Sequence, residues 1–246
     1  MPSSSETTAL LACEGLRIGH AGRPIAPAFD LAIEPGELLA VVGRNGTGKT
    51  TWFRTVLGLL APVSGRVSLK PGVRLSYVPQ RAQIDPLFPL LARDVVALGL
   101  ERGMSFVRPR LNEPQAVSAA LERTGAAGFA DRPYRALSEG QKQRVLLARL
   151  CASSPELALL DEPTSAMDAV AERETLHLID ALRRERGMSV VVICHYLGSI
   201  RELADRVILF DSACENVLVG KTEEVLGHAV YRRNYPGPVH DACEAH

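Results

Sequence analysis

One short stretch constrains this chain more than any other: Gly43-Arg-Asn-Gly-Thr-Gly-Lys-Thr50, with the spacing GxxxxGK[ST]. It follows Glu37-Leu-Leu-Ala-Val-Val-Gly43, a continuous apolar run of the kind a buried parallel strand requires. It leads into a segment that reads as a helix from about Lys49 to Leu60. Strand, glycine-rich loop and helix in that order form a phosphate cradle. The glycines let backbone N–H groups converge on phosphate oxygens without Cβ interference, and the helix adds its positive N-terminal end. Gly43, Arg44, Asn45, Gly46, Thr47, Gly48, Lys49, Thr50 and the adjoining Thr51 are therefore the candidate phosphate-binding set. Lys49 neutralises the β- and γ-phosphates, and the Thr50 hydroxyl is a ligand for Mg²⁺.

The surroundings predict an α/β chain. Leu10–Ile18 and Ile25–Ile33 read as two strands separated by turn chemistry, and Val67–Leu69 and Leu75–Val78 as further strands. From Arg81 to Ser154 the pattern turns helical, over Val95–Leu100, Pro114–Thr124 and Gln141–Cys151. Alternation then resumes: strand Leu157–Leu160, helix Val170–Arg186, strand Val190–Cys194, a helical Ile200–Ala204 and strand Val207–Phe210. Such alternation implies a parallel sheet with helices on both faces, the helical stretch being an insertion. Residues 1–80 and 155–246 are thus expected to form the α/β core and 81–154 a helical subdomain, within one domain of 246 residues. Met1–Thr8 and Pro236–His246 read as frayed ends.

Composition narrows the function classes. Lys+Arg and Asp+Glu both total 28, so nothing draws the chain grossly toward nucleic acid or an anionic membrane. The five cysteines are odd in number and widely spaced, against a disulfide framework or structural zinc site and in keeping with a reducing cytosol. The N-terminus lacks the charged and apolar regions of a signal peptide. The apolar runs fall far short of the ~20 residues that span a bilayer, so a membrane role must act through a partner. Aromatics make up only 5%, and the core is expected to be mainly aliphatic, with Trp52 packed in it.

A phosphate loop alone does not separate kinases, GTPases and ATPases. Leu157-Ala-Leu-Leu-Asp161-Glu162-Pro163 is an apolar strand ending in two acids. In open α/β sheets ligands sit beyond the carboxyl ends of strands, so both acids are expected at the nucleotide. There Asp161 holds Mg²⁺ and Glu162 orients or deprotonates water. Between the two motifs stands Leu137-Ser-Glu-Gly-Gln141-Lys-Gln-Arg144. With these three in order, the chain resembles the nucleotide-binding subunits of ATP-binding-cassette transporters, whose signature is LSGGQ. Gln80 in Tyr77-Val-Pro-Gln is similar to that family's Q-loop glutamine, Ser165-Ala-Met-Asp168 to its D-loop and His195 to its switch histidine.

The resemblance covers about residues 10–235. It implies an α/β fold of the P-loop NTPase (RecA-like) class: a mostly parallel sheet, an N-terminal antiparallel β subdomain and an inserted α-helical signature subdomain. It further implies ATP and Mg²⁺ as cofactors, Glu162, His195, Lys49 and Gln80 as catalytic, and Thr50, Gln80 and Asp161 as the metal set. Ser138, Gly140, Gln141 and Asp168 would meet ATP held by a second copy of the chain, two chains sandwiching two nucleotides. The other implied partners are an integral membrane permease and, through it, a solute-binding protein. The chain would then lie on the cytoplasmic face of the cell membrane.

Two positions depart from the family pattern. His20 stands where many members stack an aromatic ring on adenine, and Glu139 where the signature usually has glycine. A soluble ABC ATPase, of the iron–sulfur-assembly type for example, stays open beside transport. The segment Tyr77-Val-Pro-Gln-Arg-Ala-Gln-Ile-Asp-Pro-Leu-Phe-Pro-Leu90, followed by Arg93-Asp-Val-Val, looks like the ATPases of manganese- and zinc-type importers. An iron-chelate or cobalamin-type importer is the nearest rival. The tail His240-Asp-Ala-Cys-Glu-Ala-His246 holds side chains that suit transition metals, though a disordered tail of fortuitous composition is the favoured reading.

Overall fold

A computed structural model describes residues 9–80, 89–100, 114–165, 167–194, 200–213 and 215–235. The chain begins with strands β1 (Leu11–Arg17), β2 (Gly19–His20), β3 (Arg23–Pro24), β4 (Phe29–Ile33) and β5 (Leu38–Gly43), followed by helix α1 (Lys49–Val56). Then come β6 (Ser64–Leu69), β7 (Leu75–Val78), α2 (Ala92–Ala97), α3 (Pro114–Arg123) and α4 (Glu139–Ser153). The last part holds β8 (Leu157–Asp161), α5 (Ala169–Arg186), β9 (Ser189–Ile193), β10 (Arg206–Phe210), β11 (Val217–Lys221), α6 (Thr222–Gly227) and α7 (Ala229–Asn234).

The main sheet has the order β11-β10-β5-β9-β8-β7. All its pairings are parallel except β10 with β11. A smaller antiparallel sheet, β4-β1-β6, packs on one face. Period-2 geometry explains the layering. Leu38, Ala40 and Val42 of β5, Ala158 and Leu160 of β8, Val190 and Val192 of β9, and Val207 and Leu209 of β10 point to one core, shared with α4 and α5. The intervening Leu39, Val41, Leu157, Leu159, Val191, Ile193, Ile208 and Phe210 join the other core, with α1 and the antiparallel sheet. Residues of α2, α3 and α4 belong to the first core, so the inserted helices share their apolar interior with the sheet.

The aliphatic core was the right expectation, with one aromatic knot. Trp52 is fully buried and tilts against Phe53 and Phe210, with centroids at 5.5 and 6.3 Å. Truncating such a residue costs roughly 3–5 kcal/mol, so this knot fixes α1, and with it the phosphate loop, to β10.

Several expectations need correction. The first helix stops at Val56, not Leu60. Gly58 takes a left-handed conformation, φ 70, and the Gly58 and Leu59 amides donate to Thr55 O and Arg54 O at 3.0 and 2.8 Å, a Schellman stop. The two N-terminal strands do not run to Ile18 and from Ile25, because the short β2–β3 hairpin lies between them. Ile200–Ala204 is a single turn, closed by Ala204 N donating to Ile200 O at 2.8 Å. The signature helix starts at Glu139 rather than Gln141, which places Gly140 inside its first turn. The expected Val95–Leu100 helix is α2 followed by a 3-10 turn over Leu98–Leu100. Strand β11 and helices α6 and α7 were not foreseen.

Candidate functional site

The parallel strands end together, and the site lies beyond those ends. Gly43 closes β5 and the loop passes into α1, whose N-cap is Gly48 with φ 109. A Cβ there would lie 3.0 Å from the Ile18 and Ile25 Cδ1 atoms, and together with the left-handed backbone this favours glycine at the position. The resulting cleft has a volume of about 620 Å³ and is lined by His20, Ile25, Asn45, Gly46, Gly48, Lys49, Thr50, Thr51, Gln80, Glu162 and Ser165. That is ample for a small ligand such as a nucleotide.

Lys49 is buried, and its Nζ donates to Gly43 O at 2.6 Å and Arg44 O at 3.1 Å. Burial holds its pKa below the ordinary lysine value, with Glu162 and Asp161 pulling the other way. Asp161 ends β8 and is buried. Burial pushes its carboxyl above the usual range, opposed by a hydrogen bond from Tyr77, raised further by Glu162 and eased by Lys49 and Arg54. Tyr77 Oη donates to Asp161 Oδ2 at 3.2 Å, whereas Oδ1 is buried with no partner among the described residues. Such an orphaned oxygen costs stability unless something fills it.

Glu162 sits in a left-handed backbone conformation, φ 49, which costs a non-glycine residue roughly 1–2 kcal/mol. A turn in which Ser165 N donates to Glu162 O at 3.2 Å holds it there. Gln80 Nε2 donates to Glu162 Oε2 at 2.5 Å, joining the end of β7 to the end of β8. At the mouth, His20 Nε2 lies 3.2 Å from Thr51 Oγ1, beside the phosphate-loop helix.

The signature residues do not line this cleft. Ser138 is the N-cap of α4: its Oγ accepts from Gln141 N at 3.3 Å, while Gln141 Oε1 accepts from Ser138 N at 3.1 Å, a reciprocal capping box. Glu139 turns to Lys142, with Nζ–Oε1 at 2.7 Å, which takes its charge off the helix tip. Asp168 caps α5, accepting from Val170 N and Ala171 N at 3.0 and 2.9 Å. One chain thus brings together the phosphate loop, His20, Gln80, Asp161 and Glu162, and leaves Ser138, Gly140, Gln141 and Asp168 outside the cleft. His195 lies outside the described residues, as do Phe88, residues 1–8 and residues 236–246.

Residues 27–165 match the family described as ABC transporter. The chain belongs to the ABC transporter family. Zinc import ATP-binding protein ZnuC of Cereibacter sphaeroides is 40% identical over 199 residues, 81% of this chain and 78% of that protein. The protein of that name from Paracoccus denitrificans is 39% identical over 228 residues, 92% and 84% of the two chains. A chain from an inward-facing ABC transporter, assigned to the metal-chelate type, superposes with TM-score 0.81 at 27% identity, covering 93% of this chain and 89% of that one. The chain is therefore an ATP-binding ABC ATPase. Sequence reasoning missed two contributors: Ser165 as a cleft residue in its own right, and the hydroxyl of Tyr77. The first was hidden inside a motif quoted for Asp168, and the second depends on which strand lies next to β7.

Proposed function

We propose that this ABC ATPase is the ATP-hydrolysing subunit of an importer for a divalent transition metal, zinc or manganese. The observation that carries the substrate class is its likeness to zinc-import ATP-binding proteins at 40% identity over 81% of the chain. The Val-Pro-Gln-Arg, Phe-Pro and Asp-Val-Val series after Tyr77 points the same way. The partners in this reading are a second copy of the chain, a membrane permease and, indirectly, a solute-binding protein. No helix among the described residues is long and apolar enough to cross a membrane, so attachment at the cytoplasmic face runs through the permease. Nucleic acid has no part in it.

The donor set fits Mg²⁺. Asp161 Oδ1, without a partner among the described residues, is hard, anionic and buried, and Thr50 and Gln80 face the cleft with oxygen donors. Held there, Mg²⁺ would supply positive charge that neutralises the phosphates. The chain does the rest. Backbone amides and Lys49 hold the phosphates, exchanging the loop carbonyls for phosphate oxygens. Glu162 takes the proton of the attacking water once Gln80 releases it. His195 hydrogen-bonds the γ-phosphate, and Ser138 with the α4 N-terminus of the second chain closes the site.

Cellular metal tests the substrate class. Deleting the gene lowers cell zinc or manganese under metal limitation, and Phe88→Asp reproduces the loss while ATP binding by the purified chain stays normal. Unchanged metal content in a strain without a redundant importer refutes the metal reading and leaves the ATPase standing.

A further inference from the structure

We propose that Tyr77 is a positioning residue for the Mg²⁺ site: its hydroxyl clamps one oxygen of Asp161 so that the other faces the metal. The inference rests on the reading of Asp161 as a metal ligand and goes beyond it. An aspartate carboxylate turns about a broad, two-fold torsion, so burial alone does not fix the plane in which its two equivalent oxygens lie. Here that plane is fixed by Tyr77 Oη, donating to Oδ2 at 3.2 Å, and Oδ1 is left without a partner among the described residues.

Tyr77 is itself held on two sides. Its ring meets the edge of Phe53 on α1, with centroids at 6.4 Å and planes at 78°. Its carbonyl accepts from Arg149 Nη2 at 2.9 Å, and Arg149 lies on α4, the signature helix. The β7–β8 register, with Tyr77 opposite Leu159, sets its backbone near the end of β8. Phosphate-loop helix and acidic strand thus meet the side chain of Tyr77, and the signature helix holds its backbone. Outer-sphere groups that orient metal ligands are worth about 10–100-fold in metal affinity, and Tyr77 fills that place.

The test separates a metal-directed role from mere packing. Calorimetry gives the Kd of AMP-PNP with EDTA and with Mg²⁺, and the ratio of the two is the Mg²⁺ gain. Tyr77→Phe keeps the ring against Phe53 and removes only the hydroxyl. The expected result is an EDTA Kd close to wild type, with the Mg²⁺ gain cut by about tenfold. In an Asp161→Asn background, where the gain is already lost, Tyr77→Phe changes nothing further. A Tyr77→Phe protein with the full gain, or with Kd raised equally in EDTA and Mg²⁺, overturns the positioning role while the metal reading stands. A full gain in Asp161→Asn itself overturns both.

Discussion

Two aspartates at the same end of the same sheet meet opposite treatment. Asp161 ends β8 and Asp211 directly follows β10; both are buried. Around Asp211, Asn234 Nδ2 donates at 2.9 Å, Asn216 Nδ2 at 3.2 Å, the Ala213 amide at 3.3 Å and Arg233 Nη2 at 2.6 Å. Burial pushes the Asp211 carboxyl up, but Asn234, Asn216, the Ala213 amide and Arg233 together bring it below the ordinary value. Asp161 has one donor, Tyr77, and an oxygen with no partner among the described residues, and its carboxyl is held above the ordinary value. A buried charge satisfied by its own chain locks structure; one left open is stabilised only when a ligand arrives. The Asp211 cluster ties α7 to the end of β10, next to the strand that carries Gly43. The Asp161 cluster is the one we propose for phosphate and metal.

The contrast makes graded predictions. The largest effects belong to the open cluster. Glu162→Gln should cut ATP hydrolysis about 10²–10⁴-fold, with binding intact and an ATP-dependent dimer that persists in sizing chromatography. A protein that stays monomeric at saturating ATP and Mg²⁺ speaks against the split site. Lys49→Ala should abolish nucleotide binding or hydrolysis without loss of fold, and wild-type ATP affinity in that variant would sink its assignment. His195→Ala should spare ATP binding and lower turnover by about 10²–10³-fold, measured as kcat at saturating ATP.

The closed cluster should respond in stability. Asp211→Ala removes the acceptor shared by Arg233, Asn234, Asn216 and the Ala213 amide and should cost about 3 kcal/mol, read as a fall in unfolding midpoint of about 6–12 °C, with turnover per folded molecule preserved. If Asp161→Ala destabilises the nucleotide-free protein as much, the contrast is wrong. The acid limb gives a smaller, signed effect. With its folded pKa depressed, Asp211 contributes stability above the ordinary carboxyl value of 3.8, and the contribution drains away as pH falls from there through the lower folded value. The midpoint gap between wild type and Asp211→Asn should therefore narrow below about pH 4, and a gap that widens on acidification reverses the sign. The smallest expected effect is at the cleft mouth, where His20→Ala should weaken ATP binding about 2–10-fold by loss of ring stacking. Unchanged affinity makes His20 a bystander.

Local chemistry decided what could be read in advance. The phosphate loop, the acidic strand end and the signature are contiguous stretches whose expected roles follow from residue type and spacing, so Lys49, Thr50, Asp161, Glu162 and Ser138 could be proposed before any fold was known. Continuous apolar runs gave away β5, β8, β9 and β10, because strands buried on both faces leave no room for polar residues. Gly58 carried the stop of α1 in plain view, but its force lies in backbone conformation, which apolar patterning does not report. Tertiary structure decided the rest. Which strand neighbours β8 is a question of long-range pairing, and only that pairing sets Tyr77 on Asp161 and Gln80 on Glu162. The C-terminal β11, α6 and α7 are short and weakly patterned; they exist because β10 offers an edge and Asp211 a buried charge to satisfy. Sequence by itself determined the chemistry of this ATPase, since each functional group belongs to a local motif. Which buried oxygen is filled and which is left open was decided only by folding, because satisfying a buried charge takes donors from distant parts of the chain.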